Sequence, residues 1–368
     1  GISLLASSIS NRTFIATFIQ RHPELGFKES DIPETEVLIL DLNLAPEGFD
    51  LEKYLAKLQP DVIGVSALSI IYKQAKEIAA IAKRASPSSL RVVGGYHPSI
   101  YPEEVVTKSD YQLVVTGYGE ETLVEIVLRF LASGKQFVPE AFRQTEGLCV
   151  QLEDGSTVKT GIRKPVMILD EYPYVMDSSR LYAHGDEYPR VKMQQDIIKG
   201  RVAHISASRG CPLRCRYCAD TIISHNRVFK RSVESVIAEI RKLYEQGYAT
   251  FSFWDDTFNL NRKWIEAFCQ AAIAMRHEGK DIMWAANARA DLLDKALLDA
   301  MKEAGCNALY FGIESGDGQM AREAKNVAKL NMEKVEAMLQ YARSINIYYA
   351  TYFIIGLPNQ GWQSILKT

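Results

Sequence analysis

Three cysteines in eight residues carry the clearest chemistry in this sequence: Ser208-Arg209-Gly210-Cys211-Pro212-Leu213-Arg214-Cys215-Arg216-Tyr217-Cys218, a C-x3-C-x2-C loop. Thiolates this close together face one ion or one cluster. A structural zinc site calls for a fourth ligand, and no nearby second cysteine pair or His-x3-His supplies one. A 4Fe-4S cluster held by three cysteines keeps one iron open to an outside ligand. Free thiols in a turn are the third reading. The remaining cysteines, Cys149, Cys269 and Cys306, are scattered, so a dense disulfide framework is not the pattern, and a reducing, cytoplasmic setting is the expectation.

Four further patterns each end an apolar run: Phe251-Ser252-Phe253-Trp254-Asp255-Asp256-Thr257-Phe258, Ala286-Asn287-Ala288-Arg289-Ala290-Asp291, Phe311-Gly312-Ile313-Glu314-Ser315-Gly316 and Tyr352-Phe353-Ile354-Ile355-Gly356-Leu357-Pro358. The paired carboxylates Asp255 and Asp256 can accept hydrogen bonds from an ammonium, or cap the helix that follows. Arg289, Glu314 and Ser315 read as ligand contacts, or as solvated charges and caps.

The elements that must position these residues alternate. From Val202 the pattern predicts strand 202–207, helix 232–246, strand 250–254, helix 262–278, strand 282–286, helix 295–304, strand 308–313, helix 331–344 and strand 348–355. A βα series of this length points to a TIM-type barrel or part of one, with its chemistry at the strand ends. Residues 1–135 read as an earlier series, with strands near 2–7, 36–40, 62–65, 90–93 and 113–115, each followed by a helical pattern. Five such units make a doubly wound parallel sheet, Rossmann or flavodoxin-like, that binds ligands beyond the strand carboxyl ends. Residues 136–200, with Pro139, Pro165, Pro173 and Pro189, read as a connector with some strand content, draped over the surface. The expected organisation is therefore 1–135, 136–200 and 201–368, an α/β chain.

Composition agrees. At roughly 150 residues per domain, 368 residues suit two to three domains. Forty-three Lys+Arg against 45 Asp+Glu leave a net charge of −2, which provides no global basic field for nucleic acid. No apolar run nears the roughly 20 residues of a membrane span, and no secretory leader pattern is seen. A start at Gly1 without Met, together with five barrel strands, sets the expectation of a piece of a longer chain.

With an aromatic, Tyr217, just before its last cysteine, the loop resembles that of radical S-adenosylmethionine (radical SAM) enzymes. The resemblance implies a 4Fe-4S cluster on Cys211, Cys215 and Cys218, whose open iron chelates S-adenosylmethionine, and a low-potential electron donor such as flavodoxin or ferredoxin. A reduced cluster of this family passes one electron to the sulfonium, giving a 5'-deoxyadenosyl radical. By the same resemblance Asp255 and Asp256 stand beside the methionine amino group, in a version similar to that of cobalamin-dependent members. Arg289 faces the carboxylate, and Glu314, Ser315 and Tyr217 lie near the cofactor. Lys325-Asn326 departs from the Lys-Gly or Lys-Lys often found eleven residues past the Glu, so Lys325 is given no role. Asn359-Gln360 after Pro358 departs from the usual Gly-Glu.

The amino-terminal sheet resembles cobalamin-binding domains at Ser66-Ala67-Leu68, at Gly94-Gly95 and at Thr116-Gly117-Tyr118-Gly119-Glu120. Where those domains carry Asp-x-His-x-x-Gly, this chain has Ser7-Ser8-Ile9-Ser10-Asn11, so cobalamin would be held without that histidine. His97 lies in the ligand-facing loop with no assigned role, and a flavodoxin-like interaction domain is the competing reading. Methylthiotransferases place cluster cysteines in their extra domain, and none precedes Cys149. The resemblance implies methyl transfer from methylcobalamin to an unactivated carbon or a phosphorus of a small-molecule or peptide substrate. Two alternatives stand beside it: a cyclase, ring-contraction or rearrangement enzyme without methyl transfer, and a non-catalytic cluster and corrinoid sensor.

Overall fold

The structure, a computed structural model, describes residues 2–43, 45–164, 168–174 and 202–368, in two compact units, Gly1–Pro189 and Arg190–Thr368. The end of the expected connector, 175–200, lies outside the described residues. In the first unit five strands run in the order β1 (Val62–Ser66), β2 (Leu90–Gly94), β3 (Leu113–Val115), β4 (Leu148–Gln151), β5 (Thr157–Lys159). The first three are parallel, and β4 and β5 join antiparallel. Apolar side chains alternate to both faces, as a sheet covered on both sides requires. Leu90, Val92, Leu113 and Val115 pack with Ile126 and Phe130, while Val93 and Val114 pack with Ala75, Ala79 and Val105.

Residues 2–7, expected as the first strand, are instead the start of helix α1 (Ile2–Ser10). Ile2, Leu5, Ala6 and Ile9 recur at helical spacing, and the Ser8 and Ser10 hydroxyls donate to the carbonyls of Leu4 and Ala6 at 2.9 Å each. Asn11 is therefore not in a strand-end loop; it caps α2 (Arg12–Arg21), accepting from the Phe14 N–H. Residues 36–40 form no strand: Ile39 makes one isolated bridge and packs on Ala6. The sheet is completed from the other side, by the connector. Its Glu153-Asp154-Gly155-Ser156 turn joins β4 and β5, and β4 is buried at Leu148, Cys149 and Val150, so this stretch is core rather than draped surface.

The second unit follows the expected alternation closely. Strands β6 (Val202–Ile205), β9 (Thr250–Phe253), β10 (Met283–Ala288), β11 (Cys306–Glu314) and β12 (Tyr348–Phe353) are all parallel, in the order β12-β11-β10-β9-β6. A two-stranded ribbon, β7 (Ser208–Arg209) with β8 (Phe229–Lys230), lies between β6 and β9 in the chain. On one face Ala203, Ile205, Phe251, Phe253, Trp284, Leu309 and Phe311 meet the helices that follow the strands. At the centre Phe268 is fully buried, edge-on to Phe253, Phe258 and Trp284 and stacked on Trp264. Among the described residues no single helix is long and apolar enough to cross a membrane. Truncating Phe268 leaves a cavity the cluster cannot refill, so Phe268→Ala is expected to lose about 3–5 kcal/mol, read as a lower denaturant midpoint; a midpoint within error of the parent contradicts this account of the core.

Candidate active site at the barrel strand ends

The cysteine loop is rooted where β6 ends. Asp255, at the end of β9, is fully buried, and its carboxylate accepts from the Ala207 N–H at 3.0 Å and from the Ser208 hydroxyl. Burial pushes this carboxyl up to about 6, against the pull of those two donors. Ser208 then pairs with Lys230 and Arg209 with Phe229, so the excursion 210–228 is pinched at its base by the ribbon. Inside it the Cys211 N–H reaches the buried Asp220 carboxylate at 3.2 Å, and the Cys211 thiol sits 3.8 Å from the Thr257 hydroxyl. Burial raises the thiols of Cys211 and Cys218, and each also feels Cys215 and Asp256. The three cysteines are thus one electrostatic group, and all are free of disulfides.

Glu314 closes the opposite side. It ends β11 in the left-handed region, at φ +71, which turns its side chain back over Gly312, where a Cβ would stand 2.4 Å from Glu314 Oε1. There Glu314 accepts from the Tyr217 hydroxyl at 2.6 Å. The buried Lys325 ammonium, 3.5 Å from the same oxygen, donates to the Gly312 carbonyl at 2.6 Å. Burial raises the Tyr217 hydroxyl first and its bond to Glu314 second, with Cys215 adding to both. Burial lowers Lys325, and Glu314 opposes that. Sequence reasoning left Lys325 without a role. The signal for it was helical: eleven residues past Glu314, it falls at the end of the helix Gly318–Lys325, which returns it beside Gly312.

Arg289 is buried, its backbone clamped by Asn259, whose side chain accepts from the Arg289 N–H and donates to its carbonyl, both at 2.8 Å. Its guanidinium grips Asp291 at 2.9 and 2.6 Å, leaving Nη1 buried with no hydrogen-bond partner among the described residues. Burial works against the Arg289 charge, but Asp291 together with Cys215 and Cys211 more than offsets it, so its pKa is raised.

Asp256 keeps an exposed edge; the protein behind it, then Asp220, pushes it up to about 6. Neither aspartate caps the next helix, a task done by Asn261 for Arg262–His277. Ser315 is fully buried, accepts from the Asp317 N–H and lies 3.1 Å from the Thr368 hydroxyl. Trp254, 63% exposed and unforeseen as a site residue, donates to His204 Nδ1 at 2.5 Å.

In the first unit the strand-end loops are laced together. The Ala67 N–H donates to the Gly94 carbonyl at 2.9 Å, and the His97 N–H to the Ala67 carbonyl at 3.2 Å. Gly95, at φ +102, passes so near that a Cβ would stand 2.8 Å from the Ala67 oxygen. Ser66 and Leu68 are exposed beside Ile70, which is 85% exposed. Gly117 and Gly119 face the protein itself: their Cβ atoms would meet Ile162 at 2.6 Å and Leu5 at 3.3 Å. His97 shares a hydrogen bond with Ser69 at 3.1 Å and stacks on Tyr72, and its Nε2 is enclosed without a hydrogen-bond partner among the described residues.

These two units have known counterparts. The profile of the radical SAM superfamily matches residues 205–368, and that of the B12 binding domain matches residues 11–127. An uncharacterized methyltransferase of Pyrococcus horikoshii is 30% identical, covering 93% of this chain and 69% of its own length. The chain belongs to the radical SAM superfamily and carries a B12 binding domain. An anaerobic magnesium-protoporphyrin IX monomethyl ester cyclase of Cereibacter sphaeroides is 28% identical, over 86% of this chain and 50% of its own. The structure of TsrM, a radical S-adenosylmethionine methyltransferase from Kitasatospora setae, shares the fold with a TM-score of 0.65 at 18% identity, over 85% of this chain and 60% of that one. The chain therefore spans between half and about two thirds of these proteins.

This superfamily works with a 4Fe-4S cluster and S-adenosylmethionine, and the B12 binding domain adds cobalamin. The radical SAM loop suits the first two. Cys211, Cys215 and Cys218 can each bind a different iron of such a cluster. The buried Arg289 Nη1, without a hydrogen-bond partner among the described residues, suits an anionic group such as a carboxylate. The B12 binding domain suits the third, since the apolar Leu68 and Ile70 stand exposed at the end of β1, where a flat macrocycle could rest. If Asp255 sets the root of the loop, Asp255→Ala strands two buried donors at about 1–3 kcal/mol each. It is expected to take up less than half the iron of the parent on reconstitution, with Asp255→Asn, which keeps an acceptor, close to the parent. Full iron uptake by Asp255→Ala contradicts that role.

Proposed function

We propose that this chain is the core of a cobalamin-dependent radical SAM methyltransferase that moves a methyl group from methylcobalamin to an unactivated carbon, or to a phosphorus, of a small-molecule or peptide substrate. When bound, the three cofactors supply reductive cleavage of the sulfonium, hydrogen abstraction from the substrate and the methyl group itself. The observation that carries the reading is the buried Glu314–Lys325 pair, bonded to Tyr217 of the cysteine loop, together with the buried Arg289, whose charge is felt by Cys215 and Cys211.

Each side chain then has a task. Cys211, Cys215 and Cys218 hold the cluster. Arg289, fixed through its backbone by Asn259 and through its side chain by Asp291, offers its spare Nη1 to the S-adenosylmethionine carboxylate. Asp256, with its open edge, accepts from the amino group, while Asp255 acts through the loop it anchors. Glu314, held by Lys325 and Tyr217, and Ser315 serve the ribose or methionine end. Ser66, Leu68, Gly94 and Gly95 form the cobalamin face, with Gly117 and Gly119 shaping the loop beside it. A low-potential donor such as flavodoxin or ferredoxin supplies the electron. The six free cysteines suit a reducing, cytoplasmic setting.

The relative named a cyclase favours a second reading, radical rearrangement or cyclisation without methyl transfer. Product analysis separates the readings. Methyl transfer consumes two S-adenosylmethionine per turnover and yields both 5'-deoxyadenosine and S-adenosylhomocysteine, whereas the second reading yields no S-adenosylhomocysteine. A reduced, cluster-loaded protein that releases neither is a sensor instead, and the methyltransferase reading falls.

A further inference from the structure

The cysteine loop also carries exposed positive charge. Its arginines alternate with its cysteines: Arg214 and Arg216 flank Cys215 and are exposed, while the cysteines are half-buried. The Arg216 N–H is bonded to the Ala324 carbonyl at 2.9 Å, which presses the loop against the end of the helix Gly318–Lys325. Together they form an open groove of about 580 Å³, with Arg216, Gln319, Arg322, Glu323 and Asn326 among its walls. Among the described residues Arg214, Arg216 and Arg322 have no carboxylate partner, although Arg84, Arg241 and Arg262 elsewhere on the surface are paired with Glu52, Glu278 and Asp294. The groove's own acid, Glu323, is turned to Gln319 at 3.0 Å. On a chain of net charge −2 this is a local positive patch, one peptide bond from Cys215.

We propose that this groove is the docking surface for a small acidic protein that carries one low-potential electron, an inference that rests on the cluster reading of the loop. Unpaired guanidiniums on an open surface steer an oppositely charged partner without holding it tightly, and brief electron-transfer encounters use small interfaces of this kind. Both groove arginines are exposed, so the groove lacks the enclosed donors of a site for a free small anion. The chemistry is one electron leaving the carrier and one arriving at the cluster, with no bond made or broken and no proton required.

The test uses the anaerobically reconstituted holoprotein, with reduced flavodoxin as the acidic carrier and photoreduced 5-deazariboflavin as a small uncharged reductant. Two observables are followed: the second-order rate of cluster bleaching, and carrier binding by calorimetry, each at low and at high salt. The parent is expected to lose tenfold or more in rate between the two salts. Arg216→Glu/Arg322→Glu, and Arg322→Glu alone, which lies outside the cysteine loop, are expected to fall at least tenfold and threefold at low salt. Both should weaken carrier binding in parallel and keep the parent's rate with deazariboflavin. Carrier rates and binding unchanged in both variants overturn the docking surface alone. A parent that deazariboflavin cannot bleach overturns the cluster reading, and the docking surface with it. A nucleic acid that competes with the carrier for the groove more tightly than the carrier binds assigns the surface to that partner and overturns the proposal.

Discussion

One buried carboxylate carries the geometry of the site. Asp255 binds the Ala207 N–H and the Ser208 hydroxyl, so the end of β9 fixes where the chain leaves β6, and with it the root of the cysteine loop. A carboxylate without solvent is costly unless its lone pairs are met. Here that cost shows as a carboxyl pushed up to about 6, and the two donors offset it. The latch rests on the strands beneath it, which are held by the Phe253, Phe258, Phe268 and Trp284 cluster.

From this root the loop meets two other strand ends with different charges. Arg289 arrives already satisfied by Asp291 on one edge, so only Nη1 is left to act. Glu314 arrives in a left-handed turn that Gly312 leaves room for, and one of its oxygens is held by both the Tyr217 hydroxyl and the Lys325 ammonium. Side chains held by neighbours in this way have little freedom left to lose when a ligand binds, which is what positioning asks of them.

The barrel was legible because its strands are short apolar runs and its helices carry their own caps, Asn261, Asp294 and Asn331 among them. The cysteine loop was legible from spacing alone. The first sheet was harder. Ile2, Leu5, Ala6 and Ile9 satisfy a helix, yet a short apolar run there also reads as a strand. The antiparallel β4 and β5 come from a stretch read as a connector with some strand content, whose prolines suggested that it lay on the surface rather than in the sheet. Within the site, sequence showed a pair of aspartates but not that one is a buried latch and the other open, because that depends on which strand end lies beside it. Lys325 was invisible for the same reason: its partners, Gly312 and Glu314, meet it only when the helix folds back. Gly117 and Gly119 match a ligand-loop pattern, but Ile162 and Leu5 fill the space beside them.

Electron paramagnetic resonance of the anaerobically reconstituted, reduced protein, recorded with and without S-adenosylmethionine, tests the account most directly. It predicts a paramagnetic 4Fe-4S signal whose g values move when S-adenosylmethionine is added, and which Cys218→Ala lacks. A reduced protein with no cluster signal, or with a signal indifferent to S-adenosylmethionine, contradicts it.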